Sequence, residues 1–457
     1  MNLEGINRVF MLGIGGIGMS AMARYFHTKG MKVAGYDQTK TKLTKELEKE
    51  GMSVIYQADI SQIPWKPDLV AYTPAIPKQN EIFQHFYENE TPMKKRAELL
   101  GDITSGKFTI SVAGTHGKTT ISALISYVLK EHGINCTAFV GGIMKNYDSN
   151  FIAGDDQIFV VEADEYDRSF LTLQPDIAIV SALDADHLDI YKSEDALRAS
   201  FSAFVENIKP AGILICKAGL PLNPVLHEVT KLTYDARDPS ADYFSTHVEM
   251  QEGKTTFLIH YEKHFSNRIQ ISLPGIYNVE NSLAALLVGR RLGLKFTEMS
   301  KTMATFRGIR RRFDIIVNKP GLLVINDYAH HPKEIEALIK TTKGLYPNRK
   351  ISILFQPHLF SRTRDLYVAF AKALSLADQV ILLPIYPARE EAIQGISSKI
   401  IMNEIKIASK MLVEKSKILD TLIIGEIDIL LIVGAGDVDD LVYRISQKLI
   451  EHKHKGE

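Results

Sequence analysis

Short apolar runs rich in β-branched residues recur along the chain, each followed by roughly 10 to 20 helix-compatible residues. They read "RVFMLG", "KVAGYD", "LVAYTPAI", "FTISVAG", "IFVVEAD", "IAIVSAL" and "GILICK", then "LLVIND", "KISILFQ", "QVILLPI" and "IDILLIVGAG". A strand wetted on one face alternates apolar and polar residues; these do not, so both faces must be covered. That requirement predicts an α/β fold of parallel sheets flanked by helices.

At 457 residues the chain exceeds one ordinary core. Two groups of strands each open on a glycine-rich turn, near residues 13 and 114, and the pattern restarts after "RRRFD". The reading is three domains: an N-terminal Rossmann-like domain over 1–104, a central P-loop-type ATPase domain over 105–313, and a C-terminal Rossmann-like domain over 314–457. Within the central one, "TTFLIHYEK" and "RIQISLPG" in the stretch 232–275 read as a small antiparallel insertion.

Charge and cysteine content narrow the partners. Lys plus Arg and Asp plus Glu are both 54, so no overall field favours nucleic acid or an acidic membrane surface. Cys136 and Cys216 form no CxxC pair, which fits a reducing compartment and a cytoplasmic protein without a cysteine-based zinc site. The run after Arg8, "VFMLGIGGIGMSAMA", has the look of a short signal peptide. Its four glycines within six residues fit a strand, turn and helix better. No uninterrupted run of 18 apolar residues occurs, so no membrane-spanning helix is expected.

Gly13, Gly15 and Gly18 form GxGxxG directly after a strand, and Asp37 closes the next strand about 20 residues later. Glycines there admit a diphosphate to a helix N-terminus, and the acid suits a ribose hydroxyl. NAD and a UDP-sugar both offer that chemistry, so an NAD-dependent oxidoreductase stays open at this point; the plain alternative is a tight strand-to-helix turn.

The second turn, "GTHGKTT", has the context of a phosphate loop but not its usual spacing, which would need glycine where Val112 stands. Lys118 would neutralise phosphate charge, Gly117 would let N–H groups converge, and the Thr119 hydroxyl would ligate Mg²⁺. The next strand delivers Glu162, Asp164, Glu165 and Asp167 at its C-terminal end, where open α/β sheets place ligands. A further strand ends in "DADHLD", adding His187 at the same edge. Taken singly, these are a solvated acidic loop and a structural histidine; together they read as one phosphate and metal centre.

"GIGGIGMSAMA", "VAGTHGKTT", "VEADEYD", "ADHLD", "NDYAHHP", "FQPHLFSRTRD" and "IYPARE" occur in that order over nearly the whole chain and resemble the Mur ligases, the cytoplasmic ATP-dependent amide-forming enzymes of bacterial cell-wall synthesis. The family's ATP loop is shorter than the P-loop signature. Among its activities the motifs most resemble those of attaching L-alanine to the carboxylate of UDP-N-acetylmuramate. The related recycling activity, attaching a ready-made peptide, shares several motifs but not the "FQPH" stretch. The resemblance implies phosphoryl transfer from ATP to the muramyl carboxylate, then attack of the amine on the acyl phosphate.

Residue roles follow from the same resemblance. Gly114, Thr115, His116, Gly117, Lys118, Thr119 and Thr120 would hold ATP, with Asn278 and Asn281 at the adenine, Arg311 and Arg312 at the phosphates and Asp327 at the ribose. Thr119, Glu162 and His187 would hold Mg²⁺, which Mn²⁺ could replace; Lys118, Glu162, His187 and Arg312 would be catalytic. Gly13, Ile14, Gly15, Gly16, Ile17 and Gly18, with Asp37, Thr73 and Ala75, would bind the UDP-sugar, and Tyr328, His330, His358 and Arg362 the amino acid. Taken alone, Asn278 and Asn281 suit a capped helix start, the three arginines a linker, and "NDYAHHP" a turn before a helix starting at Pro332. Tyr277 and Leu359 depart from the family's common His and Arg. Lys192 is a candidate for the carbamylation known in sister enzymes. The implied machine is a monomer or homodimer whose domains close on the substrates, excluding water.

Overall fold

The computed structural model describes residues 5–184, 191, 193–222, 224–251, 253–262, 265–388, 390–423 and 427–456. Its strands fall into three sheets. The first has five parallel strands, with Arg8–Leu12 at the centre between Lys32–Tyr36 and Leu69–Tyr72. Val9, Phe10, Met11 and Leu12 are all fully buried. The unbroken apolar reading of "VFML" thus has its physical cause in helices on both faces.

The second sheet has ten strands, and Phe108–Ala113 lies between Ile158–Glu162 and Ile177–Val180, all parallel. Those three carry the loop, the acidic end and residues 181–184 to one edge. The stretch expected to form hairpins extends the central sheet. Thr230–Asp235 pairs parallel to Ile213–Lys217, Tyr243 pairs parallel to Tyr234, and Tyr243–Gln251, Lys254–Tyr261 and Phe265–Ile271 continue the same sheet to its margin.

The third sheet has six strands in the order Asp314–Lys319, Leu322–Asp327, Ile429–Val433, Ile351–Phe355, Gln379–Leu382, Lys410–Leu412. Only the first pairs antiparallel to its neighbour.

The chain divides into two compact units: one of residues 1–249, 256–272 and 277–306, the other of 307–457 with 250–255 and 273–276. In the first unit, helix Ile17–Thr28 buries every residue from Met19 to Phe26, because it lies on strands Thr137–Met144 and Ser149–Ile152 as well as on its own sheet. Asn150, fully buried, donates to Ile17 O and to Ser20 Oγ at 3.0 Å and accepts from Arg24. A buried amide with its bonds made fixes one arrangement; without them it would cost about 1–3 kcal/mol. No helix among the described residues is long and apolar enough to cross a membrane. Cys136 and Cys216 are free and buried.

Candidate active site

Glycine geometry makes the second turn. Gly114 and Gly117 have φ of +136° and +85°, which side chains rarely adopt, and a Cβ on Gly117 would stand 2.6 Å from Asn281 Oδ1. Helix Lys118–Glu131 starts directly after Gly117 and buries Thr119 through Leu129. From the neighbouring strand end, Ser181 Oγ donates to Ala113 O at 3.2 Å and to His116 O, while Asp184 N donates to Thr115 Oγ1 at 3.0 Å. His116 Nε2 lies 3.3 Å from Asp184 Oδ2. The shortened loop is therefore held by the adjacent strand rather than by its own length.

Two side chains at the helix start face the acidic strand end. Lys118 Nζ donates to Gly114 O and to Glu165 Oε1, both at 2.7 Å. Burial pulls the Lys118 pKa down, but Glu165, Asp164 and Glu162 outweigh it and hold the ammonium above the usual lysine range. Thr119 Oγ1 donates to Glu162 Oε1 at 3.1 Å, and Gly141 N donates to Glu162 Oε2 at 2.9 Å. Burial raises the Glu162 pKa against the opposing pull of Lys118. Thr120 is buried in the first turn of the same helix.

Asn278 and Asn281 lie inside helix Ile276–Arg291 rather than at its cap. Asn281 Nδ2 donates to Asn278 Oδ1 at 3.2 Å, and its Oδ1 backs onto Gly117. Asn281 thus backs the second glycine turn, and Asn278 holds Asn281. Tyr277 stands one residue before them on that helix.

In the second unit Asp327 organises a strained turn. Its carboxylate accepts from Phe313 N at 2.6 Å and Ala329 N at 2.8 Å. Arg311 and Phe313 have φ of +64° and +45°, and Tyr328 N donates to Arg311 O at 2.7 Å. Burial pushes the Asp327 pKa up to about 6 against Arg312 and the two N–H donors. The guanidiniums of Arg311 and Arg312 lie 4.6 and 5.3 Å from the Tyr328 ring centre. Arg311 also donates to Gly434 O at 2.8 Å, so the "GAGD" turn receives this arginine.

Tyr328, His330, His358 and Tyr386 form a continuous row, with ring centres 5.3, 6.3 and 5.7 Å apart in succession. Arg362 follows on the first turn of helix Phe360–Leu374, where Ser361 N donates to Glu390 Oε2 at 3.0 Å. Leu359, just before that helix, has φ +72°. Helix Pro332–Leu345 begins after a His331 cap.

Three family models match along the chain: Mur ligase family, catalytic domain, over 8–108; Mur ligase middle domain over 112–289; and Mur ligase, glutamate ligase domain, over 311–436. The chain belongs to the Mur ligase family. A UDP-N-acetylmuramate–L-alanine ligase of Porphyromonas gingivalis is 43% identical over 408 residues, 88% of this chain and 90% of that protein. A namesake from Cytophaga hutchinsonii is 43% identical over 414 residues, 89% of each chain. The crystal structure of the UDP-N-acetylmuramate–alanine ligase of Thermotoga maritima superposes with TM-score 0.84 at 28% identity, covering 98% of this chain and 100% of that one. A murein peptide ligase of Psychrobacter arcticus, 22% identical with TM-score 0.73 over 97% of this chain and 99% of that one, shares the fold.

In this Mur ligase the first glycine turn spends most of its N–H groups internally. Gly13 N and Ile14 N donate to Tyr36 O at 2.7 and 3.1 Å, Gly16 N to Gly13 O at 3.1 Å, and Gly15 N to Asp37 Oδ2 at 2.8 Å. Asp37 Oδ1 accepts from Thr39 N at 2.9 Å, so Asp37 braces the turn. Ile17 and Gly18 then open the helix, where N–H groups lack intrahelical acceptors. Thr73 Cγ2 would stand 2.6 Å from a Cβ on Gly13, and Ala75 N donates to Thr73 Oγ1 at 3.4 Å in the facing loop.

The oxygens of Thr119 and Glu162 are hard donors of the kind that would hold a divalent cation. Among the described residues no group of three or more His, Cys, Asp or Glu could hold a metal by itself. His187 and Lys192 lie outside the described residues. Of the acids in "VEADEYD" the sequence singled out Glu162 and not Glu165, and it did not single out Asp184, Asn150 or Glu390. Glu165 has a signal in its acidic run, Asp184 in "DADHLD" and Glu390 in "IYPARE"; Asn150 has none.

Proposed function

We propose that this chain is the ATP-dependent ligase that joins L-alanine to the carboxylate of UDP-N-acetylmuramate through an acyl phosphate, with Mg²⁺, in the cytoplasm. The observation that carries the reading is the Lys118, Thr119 and Glu162 cluster on one sheet edge, in a chain whose L-alanine ligase relatives match over about nine tenths of its length. A carboxylate resists an amine, so it must first be activated. Lys118 supports negative charge on the migrating phosphoryl group, and a magnesium ion held by Thr119 and Glu162 would supply further charge when bound. The amine then displaces phosphate, and no covalent enzyme intermediate is required.

In the second unit, Arg312 would reach the ATP phosphates, and the Tyr328, His330 and His358 row with Arg362 would form the amino-acid pocket. A guanidinium is the natural partner of the alanine carboxylate. Phosphate release that requires both UDP-N-acetylmuramate and L-alanine tests the proposal, with glycine, L-serine and a tripeptide in parallel. Release with the tripeptide in preference to L-alanine would move the chain to the recycling activity.

A further inference from the structure

Gly18, the last glycine of the first turn, has a specific neighbour. A Cβ placed on Gly18 would stand 3.1 Å from Cζ, Nε and Nη1 of Arg96. In this chain the missing side chain leaves room for a guanidinium over the first turn of helix Ile17–Thr28. A cation is unfavourable at a helix N-terminus, where the backbone already presents positive charge. Arg96 is itself the first residue of helix Arg96–Thr104, so it stands at two such ends.

What Arg96 has in the described structure is a single long ion pair, Nη2 to Asp164 Oδ2 at 3.8 Å. Asp164 belongs to the acidic strand end beside Lys118 and Glu162. The Arg96 side chain is 22% exposed and that of Asp164 42%, so solvent reaches the pair.

We propose that Arg96 is a substrate-binding residue that grips the diphosphate of the sugar nucleotide over Gly18, with Asp164 as its resting partner. The planar fork matches phosphate oxygens bidentately, and a diphosphate at the opening of helix Ile17–Thr28 would turn an unfavourable cation into a favourable one. This rests on the sugar-nucleotide reading of the first turn. It adds a role for a residue outside the glycine motif and links that turn to the acidic strand end beside Lys118.

The test is calorimetric titration of UDP, UDP-N-acetylmuramate and ATP into wild type, R96A and R96Q, each checked for an unchanged Tm. R96Q keeps a hydrogen-bonding head group without the charge and serves where R96A does not fold. Expected is a loss of roughly 10- to 100-fold in affinity for both UDP ligands, with ATP within about twofold of wild type. UDP affinity within twofold of wild type in both variants overturns the proposal, and so does a loss confined to UDP-N-acetylmuramate, which would assign Arg96 to the muramyl carboxylate. Wild type that binds ATP but neither UDP ligand would instead sink the sugar-nucleotide reading itself.

Discussion

The ammonium of Lys118 lies 2.7 Å from Oε1 of Glu165, whose side chain is only 1% exposed. The loop lysine is thereby kept charged in a buried setting where burial alone would neutralise it. Replacing Lys118 with alanine should cut coupled phosphate release by about 10²- to 10³-fold. Glu165→Gln should withdraw the counter-charge, so Lys118 loses its proton at lower pH and the alkaline limb of the rate profile moves down. A pH–rate profile of E165Q that overlays wild type would refute this.

Glu162 and Thr119 are expected to set the metal requirement. Glu162→Gln should raise the Mg²⁺ concentration for half-maximal phosphate release by about 10-fold or more, and Thr119→Val by less, since it removes a neutral oxygen. An unchanged Mg²⁺ titration in E162Q would remove the cation from this site.

Asp327 makes a pH prediction with a definite sign. Its folded pKa of about 6 lies above the ordinary 3.8, so the folded protein holds the proton more tightly than the unfolded chain. The contribution to stability is full below the unfolded value and declines as pH rises toward 6, by on the order of 3 kcal/mol in all. Asp327→Asn should flatten the Tm profile of the second unit between about pH 4 and 6. Parallel wild-type and D327N profiles across that window would contradict it.

Leu359 sits at φ +72° directly before helix Phe360–Leu374, a backbone that costs a side-chain-bearing residue about 1–3 kcal/mol. Leu359→Gly relieves that strain while losing chain stiffness and some packing. The net change in unfolding free energy by urea titration should fall within about 1 kcal/mol of wild type. A loss above about 3 kcal/mol, ordinary for a truncated core leucine, would show that the side chain matters more than the backbone.

Both glycine turns were legible because their cause is local. A phosphate-accommodating bend needs positive φ within a few residues of a strand end, and only glycine supplies it cheaply. The three sheets were legible because a strand covered on both faces cannot alternate. Asp37 shows the limit. Its position after the second strand fits a ribose contact, and in the fold its two oxygens also accept from Gly15 and Thr39. Spacing places a carboxylate but does not say which donors surround it. The Tyr328, His330 and His358 row needed the family resemblance, since two separate strand ends contribute it.

By itself the sequence determined the α/β class, the two glycine turns at strand ends and the acidic strand end, because hydrophobic period and glycine backbone freedom act over neighbouring residues. Tertiary structure alone decided that Glu165 pairs with Lys118, that Asn150 locks helix Ile17–Thr28 to the central sheet, that Arg96 lies over Gly18, and that Asp327 is buried deeply enough to titrate near pH 6. Each of these depends on which layers pack together and how much water they exclude. Burial and long-range pairing belong to the assembled layers, and no short stretch of chain encodes them.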